Sequence, residues 1–285
     1  MAFATLIDVL ASADAGGYAV GAFNANNMEI VQAIIETAQE EHSPVILQAS
    51  QGAIKYAGIE YITGMVKIAA EQATVPVVLH LDHGTGFEQL MQCIRHGFSS
   101  IMVDGSKHAI AENIALTKKV VEIARTVGVS VEAEIGKIGG VEDDIFVHDA
   151  DACYTDPAEA KMFYEATGVD ALAIAIGTAH GQYKGEPKLD YERLSKIKSI
   201  LPNLPIVLHG SSGVPEDAIR EAVKRGVRKI NIDTNLREAF VAGMREVLTA
   251  DPNEIDPRKI LGRGKENMKE IVRAKMRLFG SSGKA

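Results

Sequence analysis

Tryptophan is missing from this chain, cysteine occurs only twice, and no apolar run approaches the ~18 residues that a membrane span needs. Cys93 lies in a helical pattern and Cys153 in a loop, a spacing that fits neither a disulfide framework nor a zinc knuckle. Both are expected to be free thiols in a reducing compartment. No basic block, arginine-rich tail or aromatic-basic alternation occurs, and the net charge of −8 is spread along the chain, which argues against a nucleic-acid partner. The first residues, Met1–Val9, lack the basic region, apolar core and cleavage site of a signal peptide. The expectation is a soluble cytoplasmic protein without a membrane partner. An acidic chain that binds anions must concentrate positive potential locally, through a metal, helix N-termini or a few lysines.

What the sequence has in quantity is apolar character arranged in alternation. Its 285 residues are 46% hydrophobic, close in length to the ~250 of one (β/α)8 domain. Short β-branched runs alternate with amphipathic stretches of helical length, the pattern of a parallel sheet built from βα units. Eight strands are expected: Ala19–Phe23, Val45–Leu47, Val75–Leu81, Ser99–Val103, Val129–Ala133, Ala171–Ile176, Ile206–Leu208 and Lys229–Ile232. Helical patterns such as Met28–Glu41, Ala109–Val127 and Pro215–Arg225 separate them, and Gly97, Gly128, Gly168 and Gly226 follow helices as C-terminal caps. The fold class is therefore α/β, a (β/α)8 TIM barrel spanning residues 1–285 as one domain. A charged helical extension, Arg258–Phe279, follows the eighth unit. Two long polar loops, Gly136–Thr155 and Gly177–Leu189, follow strands and so belong to the active-site end.

Each strand runs apolar and then ends in residues able to do chemistry. These are Asn24, Ser50, Asp82 with His83, Asp104, Glu134, His180, His209 with Gly210, and the run Asn231-Ile232-Asp233-Thr234. A barrel brings such ends to one mouth. His83, His180 and His209 form no local metal motif, yet three neutral imidazoles with an open position make a catalytic zinc site. A single histidine at such a place would more simply be a hydrogen-bonded core residue. Three in the same role favour the metal. Asp82, next to a ligand, suits a proton shuttle, and His80 on the same strand suits support of a ligand. Asp104 and Glu134 read either as partners of the histidines or as interior ion pairs. The loops His209-Gly210-Ser211-Ser212-Gly213 and Asn231–Thr234 leave backbone N–H groups open to an anion, although either alone would pass for a capped turn.

The same segments resemble the class II fructose-bisphosphate aldolase family, from Tyr18-Ala-Val-Gly-Ala-Phe-Asn24 to Phe279-Gly-Ser-Ser-Gly-Lys284. The specific matches include His80-Leu-Asp-His-Gly84, Val131-Glu-Ala-Glu134, Gly177-Thr-Ala-His-Gly181, Tyr183-Lys-Gly-Glu-Pro187 and Leu208-His-Gly-Ser-Ser-Gly213. The resemblance implies a lyase that reversibly cleaves fructose 1,6-bisphosphate to dihydroxyacetone phosphate and glyceraldehyde 3-phosphate through an enediolate stabilised by Zn2+. It implies His83, His180 and His209 as zinc ligands, Asp104 and Glu134 as accessory metal positions, and Asp82 as proton donor and acceptor. Glu142 would protonate the enediolate carbon. Gly181, Gly210, Ser211, Ser212, Asn231, Ile232, Asp233 and Thr234 would bind the dihydroxyacetone phosphate half, near a monovalent cation (Na+ or K+), while Asn24 and Ser50 touch the rest. A homo-oligomer, dimer or tetramer, is implied, with an arginine from a partner subunit on the second phosphate; Arg258 and Arg277 are the candidates. Ala171–Ile176 contains no lysine for a Schiff base, which is consistent with a Lewis-acid metal. Tagatose 1,6-bisphosphate is the alternative substrate. A barrel metallohydrolase is disfavoured because the first strand lacks a His-x-His pair.

Overall fold

A computed structural model describes residues 3–142, 145–147, 153–181, 183 and 185–285, without the side chains of 141, 142 and 145–147. Its strands are β1 (Val20–Asn24), β2 (Val45–Ser50), β3 (Val77–Gly84), β4 (Ser100–Val103), β5 (Ser130–Ile135), β6 (Gly139–Glu142), β7 (Ile145–Val147), β8 (Ala171–Ile174), β9 (Ala179–His180), β10 (Ile206–Leu208) and β11 (Val227–Ile232). Eight of them close a parallel barrel in the order β1-β11-β10-β8-β5-β4-β3-β2. All eight expected strands are present, β10 with the expected ends and the others with shifted ones. The third starts at Val77 because Pro76 has no N–H for the ladder, and it runs on through Asp82 and His83.

The helices are α1 (Leu6–Gly16), α2 (Met28–Glu40), α3 (Gln51–Ala57), α4 (Ile59–Gln72), α5 (Phe87–His96), α6 (Ile110–Thr126), α7 (Pro157–Thr167), α8 (Tyr191–Ile200), α9 (Glu216–Lys224), α10 (Thr234–Ala250) and α11 (Pro257–Phe279). Strand side chains that point outward, such as Leu79, Leu81, Ile101, Leu172 and Ile230, pack under this ring in the main core. Inward-pointing residues form layers. At the N-terminal end Val20, Ile46, Val78, Ala171 and Val207 are apolar. Higher up, the same inward register carries Gln48, His80, Glu132 and Lys229, all fully buried.

Helix α1 is an element that the strand-helix alternation does not announce. Thr5 and Asp8 form a capping box at its start, and Leu6, Val9, Leu10 and Ala13 plug the bottom of the barrel. At the other end of the chain, Asp256 caps α11 and Pro257 occupies its first turn. Lys269 of α11 pairs with Glu36 and Glu40 of α2 at 3.2 and 2.7 Å, and the Phe279 carbonyl accepts from Ala19 N at the entrance to β1. The extension is thus part of the barrel wall. No helix among the described residues is long and apolar enough to cross a membrane.

The two long loops are not structureless. β6 pairs antiparallel with β7 and parallel with β9, forming a three-stranded sheet at the C-terminal end. His180 consequently sits on β9 rather than at the end of a barrel strand.

Candidate metal centre and active site

One nitrogen from each of His83, His180 and His209 lies within 4.8 Å of the others, and all three residues are buried. His83 adopts φ 51°, the left-handed region that a β-carbon makes costly, at the point where the β3–β4 register shifts. The bulge turns its ring into the mouth instead of the wall. Its Nδ1 is 3.0 Å from Asp104 Oδ2. Ser106 donates twice to the other oxygen of Asp104, at 3.1 and 2.7 Å, so that carboxylate cannot rotate without losing bonds. Burial drives the Asp104 carboxyl upward, but the His83 and Ser106 interactions outweigh it and hold it well below the usual carboxylate range.

His209 is gripped from both sides. Nε2 lies 2.9 Å from Glu132 Oε1, and Nδ1 lies 3.1 Å from Glu134 Oε2 at angles outside a hydrogen bond. Burial lowers this imidazole's pKa, yet the two glutamates more than reverse that, to about 9. A buried ring nitrogen facing a carboxylate without a hydrogen bond is a position that a cation can fill. Asp104 on His83 Nδ1 and Glu132 on His209 Nε2 likewise turn the opposite nitrogens toward the cluster. Three convergent imidazoles, His83 and His209 among them oriented by carboxylates, fit the donor set of a catalytic zinc.

Asp82 is fully buried beside this cluster, its Oδ1 3.9 Å from His83 Nε2. Three carboxamides donate to it: Asn24 Nδ2 and Gln48 Nε2 to Oδ2 at 3.0 and 3.1 Å, and Asn231 Nδ2 to Oδ1 at 3.2 Å. Beneath lies a charged layer. Lys229 Nζ is 3.0 Å from Glu132 Oε2 and donates to Asn231 Oδ1 at 2.7 Å. Burial raises the Glu132 pKa, but Lys229, His209 and His80 together hold it well below its ordinary value. His80 contacts Ser100 Oγ at 2.8 Å and lies 3.5 Å from Glu132. Burial, then the charge of Lys229, pushes His80 well below the usual imidazole value, so it is neutral.

At the rim, Gly210 has φ 62°, and a β-carbon there would meet the Ala179 carbonyl oxygen at 2.4 Å. Tyr183 ties the same two segments: its hydroxyl donates to Gly210 O and accepts from Ala179 N, at 2.7 and 2.8 Å. Burial pushes this phenol up to about 12, so it stays a donor. Asp233 N donates to Ser212 Oγ at 3.3 Å, joining the loops after β10 and β11. The N–H groups opening α10 receive no side-chain cap among the described residues, leaving a positive helix end beside Ser211, Ser212 and Thr234. Ser50, opposite Asp82 in the ladder, caps α3 through Ala53 N.

The structure thus brings Asn24, Ser50, Asp82, His83, Asp104, Glu134, His180, His209 and Asn231 to one end of the barrel. Gly181 follows His180, and Ile232 is buried against the helices with its side chain away from the mouth. The side chain of Glu142 lies outside the described residues. Arg277 pairs with Glu41 at the N-terminal end of the barrel, and Arg258 is 89% exposed and pairs with its neighbour Asp256. The four residues of the layer below the mouth that strand-end reasoning does not reach are Gln48, Ser100, Glu132 and Lys229.

Comparison with known proteins agrees with this geometry. The family model described as fructose-bisphosphate aldolase class-II matches residues 4–284. A fructose-bisphosphate aldolase of Thermus caldophilus is 47% identical, covering 99% of both chains. One of Geobacillus stearothermophilus is 47% identical, covering 100% of this chain and 99% of its own. Among solved structures, the YdjI aldolase of Escherichia coli K12 has a TM-score of 0.88 at 35% identity over 99% of each chain. The fructose-bisphosphate aldolase of Campylobacter jejuni has a TM-score of 0.83 at 27% identity, covering 99% of this chain and 97% of its own. The chain belongs to the class II fructose-bisphosphate aldolase family.

Proposed function

We propose that this protein reversibly cleaves fructose 1,6-bisphosphate into dihydroxyacetone phosphate and glyceraldehyde 3-phosphate, with zinc held by His83, His180 and His209. The observation that carries the reading is the buried triad of imidazoles with Asp82 beside it, one carboxylate held by three carboxamide donors. Zinc bound there supplies a Lewis acid for the negative charge that develops when the C3–C4 bond breaks. Asp82 removes the proton of the C4 hydroxyl, and the electrons of the O–H bond become the new aldehyde carbonyl. The pair from the C3–C4 bond passes to the three-carbon fragment as an enediolate. Asn231 and Asn24 keep Asp82 aimed during this transfer, and Glu142 returns a proton to C3.

The phosphate of the dihydroxyacetone half is assigned to Gly181, Gly210, Ser211, Ser212, Asp233 and Thr234, where small residues and the α10 N-terminus supply donors. Carbonyl oxygens of this rim are suited to a monovalent cation. Asn24 and Ser50 face the remaining carbons, and Arg258 of a partner subunit is the candidate for the second phosphate in a dimer or tetramer. Asp104 orients His83 and Glu134 faces His209 Nδ1 in this state, and both are proposed as accessory metal positions. The test is cleavage of fructose 1,6-bisphosphate and of its C4 epimer, tagatose 1,6-bisphosphate, by the purified protein. Preference for the fructose isomer supports the assignment, and preference for tagatose replaces the substrate while leaving the chemistry.

A further inference from the structure

Lys229 is completely buried in the barrel interior, where a charged side chain is costly. A buried ion pair is a poor source of stability, because apolar residues of similar volume commonly serve as well or better. Its geometry gives it another use. Lys229 Nζ can only donate, so the atom of Asn231 that meets it at 2.7 Å must be the carboxamide oxygen. The amide's NH2 is thereby turned to Asp82 Oδ1, 3.2 Å away. Nζ also lies 3.0 and 3.3 Å from the two oxygens of Glu132, whose Oε1 holds His209 Nε2 at 2.9 Å. One atom therefore joins the support of a histidine in the metal cluster to the support of the carboxylate beside it. Lys229 and Asn231 are two residues apart on β11, so both face inward from one rigid strand.

We propose that Lys229 is a positioning residue for the aldol cleavage: it fixes the Asn231 carboxamide with its NH2 toward Asp82 and locks that arrangement to the Glu132–His209 contact. The proposal rests on the reading of Asp82 as the proton acceptor. Without Lys229 the Asn231 amide can flip and present its oxygen to Asp82, which repels the carboxylate and loosens its aim.

The test compares the zinc-loaded wild type with K229M and with K229M/E132Q, the second variant avoiding a lone buried carboxylate. Each is measured for zinc content, thermal unfolding, and kcat and KM with fructose 1,6-bisphosphate. The zinc-free proteins are examined by side-chain 15N amide spectroscopy, the Asn231 signals being assigned by their loss in N231D. In folded, zinc-bearing variants kcat should fall by about tenfold to a hundredfold while KM moves less than about twofold, as expected for a misaimed group. The Asn231 amide proton facing Asp82 should be protected from exchange in the wild type and lose that protection in both variants. Wild-type kcat in a folded variant overturns the proposal, as does an Asn231 amide that is unprotected in the wild type or unchanged in the variants. Because the amide signals need no turnover, a wild type that fails to cleave the bisphosphate counts against the aldolase reading alone.

Discussion

Asn231 Nδ2 donates to Asp82 Oδ1 over 3.2 Å, joining residues 149 positions apart on β11 and β3. With Asn24 and Gln48 on the other oxygen, Asp82 is aimed before any substrate arrives, which is the preorganisation that proton transfer requires.

Replacing Asp82 by alanine should therefore lower kcat by roughly 10²–10⁴-fold, the usual contribution of a positioned acid or base. Zinc content should stay near that of the wild type, since three imidazoles remain. Metal analysis beside steady-state kinetics checks this, and loss of zinc would reassign Asp82 to the metal.

Zinc binding should release a proton. In the metal-free protein His209 has its pKa raised to about 9 by Glu132 and Glu134 against the opposing effect of burial, whereas a zinc ligand must be neutral. Below about pH 9 the apparent zinc affinity should weaken about tenfold per pH unit, and above it this dependence should flatten. The raised pKa has a second consequence. The stability that His209 contributes to the metal-free fold is fully present below about pH 6.5 and is lost as pH rises through about 9. Chelator competition and metal-free melting curves across pH 6–10 read both effects.

Gly210→Ala should impair the rim. The position has φ 62°, and the added carbon would lie 2.4 Å from a backbone oxygen that cannot move aside cheaply. Left-handed strain alone costs roughly 1–2 kcal/mol. We expect at least about a tenfold loss of kcat/KM and weaker inhibition by inorganic phosphate; unaltered kinetics would remove Gly210 from the binding loop.

Leu10→Ala separates stability from chemistry. Leu10 is fully buried in the plug at the barrel's N-terminal end, so its truncation should cost about 2–5 kcal/mol of unfolding free energy. The kcat of the folded fraction should remain within about twofold. A large fall in kcat would mean that the plug transmits strain through the polar layer to the mouth.

The barrel was legible because apolar runs and helical periods alternate so regularly, and seven of the eight expected strand-end groups indeed lie on or beside a barrel strand. His180 departs from this rule, since the loops beyond β5 and β8 pair with each other through β6 and β9, a tertiary contact that no local pattern encodes. The layer beneath the mouth was harder to see. Gln48, Glu132 and Lys229 sit in mid-strand, where a polar residue reads as an exception to burial. The available signal was period two: Glu132 with Glu134, Lys229 with Asn231, and His80 with Asp82 point the same way. Helix α1 escaped the βα count because it precedes the first strand. Arg277, which only the family resemblance suggested as a partner-subunit phosphate ligand, pairs with Glu41 at the N-terminal end of its own barrel.

The most direct measurement is cleavage of fructose 1,6-bisphosphate by the purified protein before chelation, after chelation and after zinc is returned. The account predicts activity that disappears with the metal and recovers with about one zinc per chain in the His83–His180–His209 cluster. Cleavage that survives complete metal removal would contradict it.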